Sequence, residues 1–192
     1  MRRAVVIVAI AAAAAVTTRV AAPSLSQPLL SPSRSAACGV ERWTVKTLQD
    51  RPRLLRARRS TVANLVALPR PSSLPATRLP TERHIFSVIA AVTFMRPELD
   101  QDLHVVLFEP WDELDGRSRP NHMIAEAPLA PSCTVRATRY RRRQMVDARR
   151  AVRLCSRARV VGVAFWDFKH GQTGVAPNAI ELHPILGFAC LA

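Results

Sequence analysis

Aromatic side chains are scarce in this chain, which carries six Phe, three Trp and one Tyr in 192 residues. A domain that grips single-stranded nucleic acid by stacking bases on rings is poorly supplied with such a set. No HExxH, GxSxG or paired acidic motif occurs, so neither a metalloprotease helix nor a serine-hydrolase elbow is written in the sequence. The four cysteines form no CxxC and no Cys/His zinc spacing. Lysine is nearly missing, because 28 basic residues include only Lys46 and Lys169, the rest being arginine. Together with abundant Ala and Pro, that bias is the mark of GC-rich codon usage, and it discounts the formal charge of +14 as a sign of a dedicated nucleic-acid site. No apolar run reaches the roughly 20 residues that span a bilayer.

The longest such run, residues 4–16, follows Arg2 and Arg3, ends at Thr17, Thr18 and Arg19, and is succeeded by the small residues Ala21 and Ala22. This is the three-part pattern of a secretory signal peptide over residues 1–22, removed on export, with no stable membrane span afterwards. An uncleaved anchor and lipid attachment at Cys38 compete with that reading. Cys38 lies far beyond the apolar run and lacks the large aliphatic residue expected three positions before a lipidated cysteine. Residues 23–37 are Ser, Pro and Ala with little to pack, a disordered leader by composition. One domain then fills residues 38–192, a length sufficient for a single core. An exported protein meets an oxidising compartment, so Cys38, Cys133, Cys155 and Cys190 are expected to pair.

Apolar and polar residues alternate over 40–46 (VERWTVK), which predicts a short strand. Ser60 or Thr61 caps a short helix with Val62, Leu65 and Val66 inward, and Pro69 ends it. Strands are predicted over 84–95, 103–108 and 122–127 from β-branched and aromatic content bounded by Pro97, Pro120 and Pro128. The period then changes. Met145, Ala148, Val152 and Cys155 recur at helical spacing, so one amphipathic helix is expected over 139–155. Two last strands, 160–169 and 179–188, flank the loop HGQTGVAPN. The order β-β-β-α-β-β is that of an OB-fold, a mainly β, five-stranded barrel, here with an N-terminal extension containing a short helix. A hairpin centred near Gly174 brings Cys155 and Cys190 to nearly equal distances from its tip, which favours their pairing and leaves Cys38 with Cys133.

The segments RWTVKTL (42–48), DLHVVL (102–107), MIAEAP (123–128) and VVGVAFWDFKHGQTGVAPNAIELHPIL (160–186) resemble a group of uncharacterised exported bacterial proteins. In that group a strand ending in Phe-Asp or Trp-Asp is followed by HGQ-G-APN and a closing ELHP strand. The resemblance runs over most of the chain from Cys38 onward and implies an exported protein; it supplies no activity. The arginine-rich helix and the Cys155 and Cys190 pair depart from it.

Polar residues inside apolar strands mark the candidate site. Asp102 and His104 share one strand face, as do Glu181 and His183. Glu126 lies in the third strand, and Asp167, His170, Gln172 and Asn178 gather around the last hairpin. Three readings compete for them. In the structural one, each group satisfies neighbouring backbone, with Gly171 and Gly174 supplying turn conformations. In the second, the chain is a non-catalytic binding domain with affinity for polyanions, either nucleic acid or cell-envelope polymer, through Arg141, Arg142, Arg143, Arg149, Arg150 and Arg153, with Trp111 and Phe108 available. In the third, it is a secreted hydrolase of the phosphodiesterase or nuclease type that uses His104, His170 or His183 with Glu126 or Glu181. A binding or structural role is the expectation, with no cofactor and no metal centre assigned, and nothing in the sequence indicates an oligomeric state.

Overall fold

The computed structural model describes residues 38–39, 41–109 and 121–191. The expected signal peptide and leader, and Trp111, lie outside the described residues. Short elements precede the barrel proper. A helical turn α1 (Trp43–Lys46) is followed by β1 (Arg58–Arg59) and α2 (Val62–Val66). The barrel strands are β2 (Ile85–Pro97), β3 (Asp102–Glu109), β4 (Asn121–Pro128), β5 (Cys155–Trp166) and β6 (Ile180–Cys190), with α3 (Arg139–Ala151) between β4 and β5.

Strand alternation explains why the sheet closes. Phe86, Val88, Ala90 and Val92 of β2 point into the core at every second position, and the intervening residues face outward or are only partly covered. β2 pairs antiparallel with β3 and β3 with β4. β4 then runs parallel to β6 through Ile124 opposite Glu181, β6 pairs antiparallel with β5, and β5 returns to β2 through Val163 opposite Ile85. The result is a closed five-stranded barrel of OB type, with β1 added parallel to the outside of β2. The core is a continuous cluster that includes Val88, Val105, Leu107, Met123, Val160, Trp166, Leu182 and Ile185.

Both disulfides join the expected partners. Cys155 and Cys190 close the open ends of the β5–β6 hairpin with Cα atoms 6.0 Å apart, and Cys38 and Cys133 tie the N-terminal extension to the turn before α3, 5.5 Å apart.

Two expected elements are corrected. The strand predicted over 40–46 is a helical turn from Trp43, Val40 lying outside the described residues. Val45, Lys46, Thr47 and Leu48 are all buried in succession, which a half-exposed strand of period two cannot do but a turn folded into the barrel end can. Arg42 enters that turn in the left-handed region (φ 50), held by its guanidinium as described below. Helix α3 stops at Ala151 instead of continuing to Cys155, because Val152 turns extended and Cys155 opens β5 to meet Cys190. Thr138 caps the other end by accepting from the Arg141 N–H, and Met145 and Ala148 form the buried face.

Candidate functional site at the barrel end

Two buried ionic assemblies join the N-terminal extension to the barrel, and they differ in kind. In the first, Arg42 grips Glu82 with two parallel bonds, Nη1 to Oε1 at 2.6 Å and Nη2 to Oε2 at 2.8 Å. Glu82 also accepts the N–H groups of Leu79 at 2.7 Å and Trp166 at 3.0 Å. Arg42 donates further to the carbonyls of Pro75, Thr77 and Trp166. Every lone pair and proton that matters has a partner, which is how a desolvated ion pair survives inside a fold. This assembly is a structural pin.

The second assembly is under-satisfied. Lys46, from the turn α1, places Nζ 3.3 Å from Glu126 Oε2, 3.8 Å from Asp167 Oδ2 and 3.9 Å from Asp102 Oδ2. His183 Nε2 lies 3.1 Å from Asp102 Oδ2 and 3.4 Å from Glu126 Oε2, while its Nδ1 meets the Lys46 carbonyl at 3.0 Å. His104 bridges Glu126 Oε1 (3.0 Å) and the Thr173 carbonyl (2.8 Å). Gly174 makes that last bond feasible, because it sits at φ +78 with the position of a Cβ only 2.5 Å from Val106, so no other residue fits the turn after Thr173. Asp102 Oδ1, Asp167 Oδ1 and Glu181 Oε1 are buried with no hydrogen-bond partner among the described residues. Such groups cost free energy, which the Lys46 ammonium beside them offsets only in part.

The electrostatics follow from this crowding. Burial alone would lower the Lys46 pKa, but Glu181, Glu126, Asp167 and Asp102 outweigh it and hold the ammonium well above its ordinary value. Burial likewise favours the neutral form of Glu126, yet the His104 hydrogen bond and the charges of Lys46, His183 and His104 pull its pKa down to about 2. Among the described residues Glu181 Oε1 has no hydrogen-bond partner. Burial, reinforced by the charges of Glu126 and Asp167, pushes it well above the carboxylate range, and burial raises Asp102 against the pull of His183. His104 is raised, its burial being overcome by the bonds to Glu126 and the Thr173 carbonyl. Perturbed groups concentrated in one place mark a candidate functional site.

The cluster reaches solvent. Lys46, Glu126 and Asp167 form the floor of an open cleft of about 700 Å³, walled by Trp43, Glu98, Asp100, Phe168, His170 and Gln172. Glu41, Glu98, Asp100, Glu126 and Asp167 line it, and Asp102 and Glu181 are buried against the Lys46 ammonium behind it. These seven are half of the fourteen acidic residues in a chain of charge +14. The cleft is thus an acidic mouth on a basic protein.

Of the residues singled out in sequence, Asp102, His104, Glu126, Glu181 and His183 converge, although they come from three strands. His170 and Gln172 stand on the cleft wall and hold their own loop: Gln172 donates to the Phe168 carbonyl (2.8 Å) and accepts the His170 N–H (3.0 Å). Asn178 is engaged elsewhere. Its amide donates to the carbonyls of Leu65 and Leu68, both at 2.9 Å, and its Oδ1 accepts the Ile180 N–H, so it ties α2 to β6. On α3, Arg142, Arg143 and Arg150 are exposed, as is Arg153 beyond its end. Arg149 donates to the Pro128 and Leu129 carbonyls, and Arg141 to Gln144 Oε1 at 2.7 Å. None of these arginines lines the acidic cleft. Lys46 is the member of the cluster that strand-based reading passes over. The signal for it was compositional, one of two lysines in an arginine-dominated chain.

Fold and site together define a class: an OB-type barrel whose N-terminal extension delivers a lysine into a buried carboxylate–imidazole cluster under an open cleft. No protein-family model matches the chain, and neither does any curated protein sequence. Among the described residues no helix is long and apolar enough to cross a membrane.

Proposed function

We propose that the chain is an exported hydrolase of the phosphodiesterase type, working at the cleft floor. The observation that supports this reading is the convergence of Lys46, Glu126 and Asp167 at the bottom of an open cleft, backed by Asp102, His104, Glu181 and His183. A cleft with a few convergent polar groups is where small-molecule chemistry takes place. In the proposed reaction, water bonds to phosphorus and gives a proton to Asp167. The phosphorus–oxygen bond to the leaving alcohol breaks, and that oxygen takes a proton from His170 on the cleft wall. Lys46 opposes the negative charge that builds on the phosphoryl oxygens. Two disulfides support an oxidising, extracellular setting. The test is turnover of a phosphodiester such as bis-(p-nitrophenyl) phosphate or an oligonucleotide. Wild-type protein releases product and Asp167→Asn does not, whereas equal rates in the two proteins would refute the reading.

A second reading is favoured by the exposed Arg142, Arg143 and Arg150 of α3. These form a polyanion-binding face for nucleic acid or cell-envelope polymer, away from the acidic cleft. It predicts retention on heparin or DNA that falls steeply with salt and that Asp167→Asn leaves unchanged.

A further inference from the structure

We propose that Asp102, Glu126 and His183 form a binding site for one divalent first-row metal cation, for which Lys46 is the built-in competitor. The inference concerns the same site as the hydrolase reading and rests on it for its chemistry, but not for its binding.

The argument begins with His183. Its Nδ1 faces the Lys46 carbonyl at 3.0 Å, and a carbonyl only accepts, so Nδ1 carries the proton. A metal-ligating histidine is oriented in this same way, by donating its far N–H to a backbone carbonyl. Nε2 faces Asp102 Oδ2 (3.1 Å) and Glu126 Oε2 (3.4 Å), and it is the nitrogen left to ligate a cation that displaces its hydrogen bond to Asp102. Nε2 and the two carboxylates offer ligand atoms within 4.8 Å of one another, close enough for one cation to touch all three. Donors about 2.1 Å from a metal, at tetrahedral or octahedral angles, stand about 3.0–3.4 Å apart, the spacing found here from Nε2 to each carboxylate. Glu126 is steadied from its other oxygen by His104 at 3.0 Å, leaving Oε2 free for the triad.

Independent support comes from the orphaned oxygens. Asp102 Oδ1 lacks a hydrogen-bond partner among the described residues, and Glu126 Oε2 has only Lys46 Nζ at 3.3 Å and His183 Nε2 at 3.4 Å beside it, although both side chains are at least nine-tenths buried. Four acidic side chains, Asp102, Glu126, Asp167 and Glu181, surround the single ammonium of Lys46, so the site favours a second positive charge. Mixed carboxylate–imidazole ligation suits Mn²⁺ or Zn²⁺. Lys46 Nζ, 3.3 Å from Glu126 Oε2, occupies the cation's surroundings from the cleft side, and binding drives it outward toward the cleft. Cation binding also turns an acidic mouth into one that an anionic phosphodiester can approach.

The test is titration of the purified protein with Mn²⁺, followed by electron paramagnetic resonance and calorimetry. One Mn²⁺ binds, its pulsed spectrum carries ¹⁴N modulation from His183, and Asp102→Asn weakens binding at least tenfold. Lys46→Met, which removes the competitor, binds Mn²⁺ at least tenfold tighter. This last arm guards against a variant that merely misfolds. Absence of saturable binding at millimolar Mn²⁺, a bound ion without ¹⁴N modulation, or weaker binding by Lys46→Met overturns the inference. Mn²⁺ bound as described without phosphodiester turnover leaves the cation site standing and removes the hydrolase reading. Turnover that survives chelation in a protein that binds no Mn²⁺ does the reverse.

Discussion

Replacing Lys46 by methionine keeps the length and packing of the side chain while deleting the ammonium that faces Glu126, Asp167 and Asp102 within 3.9 Å. The side chain is 8% exposed and its partners no more so, so solvent does little to screen the loss. Breaking a buried ion pair from one side typically costs about 3–5 kcal/mol, because the remaining charges stay desolvated and unpaired. For a domain of this length that corresponds to a drop in Tm of about 6–20 °C. The sign with pH is also fixed. Glu181 and Asp102 already titrate above their ordinary values of 4.5 and 3.8, and deleting the ammonium raises them further. The folded variant then binds more protons than the unfolded chain, so its stability climbs as pH falls through the window above those ordinary values. Calorimetric melting of both proteins from neutral to mildly acidic pH, in chelator, reads this directly: the gap between wild type and Lys46→Met narrows on acidification. Adding Mn²⁺ at about 100 times its Kd restores about 2.7 kcal/mol to the variant. A gap below 1 kcal/mol, or one that widens on acidification, refutes the electrostatic reasoning.

Other consequences are open to measurement. Glu82→Ala strands Arg42 and two backbone N–H groups, and it lowers stability by about 3–5 kcal/mol in equilibrium denaturation, with no change in Mn²⁺ affinity per folded molecule. Replacing Cys38 and Cys133 by alanine releases a loop of sequence separation 95 and costs about 4–5 kcal/mol by chain entropy. The same change at Cys155 and Cys190, separation 35, costs about 3–4 kcal/mol. Replacing Arg142, Arg143 and Arg150 together by serine flattens the salt dependence of retention on DNA, with phosphodiester turnover unaltered.

Where local chemistry decides an element, the sequence discloses it. β-branched and aromatic content announces β2, the helical spacing of Met145, Ala148 and Val152 announces α3, and Pro97 and Pro128 mark strand ends. Cys155 and Cys190 are legible as a pair because a hairpin has only one symmetric closure. The turn at Trp43–Lys46 is not legible, since its alternating pattern suits a strand and only the distant partners Glu82 and Trp166 of Arg42 select the turn. The same is true of the site. Asp102, His104, Glu126, Glu181 and His183 stand out as polar residues in apolar strands, but their mutual distances depend on the β3–β4 and β4–β6 registers. Lys46 reaches them by a tertiary route. Asn178 had the composition of a site residue and serves as a tether, because an amide in a Pro-containing loop meets whichever backbone carbonyls lie opposite it.

The central claim is that residues from separate strands act as one site with Lys46 under the cleft. Phosphodiester turnover by Glu126→Gln tests it most directly, measured with Mn²⁺ present and beside a melting curve showing the variant folded. The account predicts at least a hundredfold loss of turnover, because Glu126 contacts Lys46, His104 and His183 together. A folded Glu126→Gln protein that turns over at the wild-type rate contradicts it.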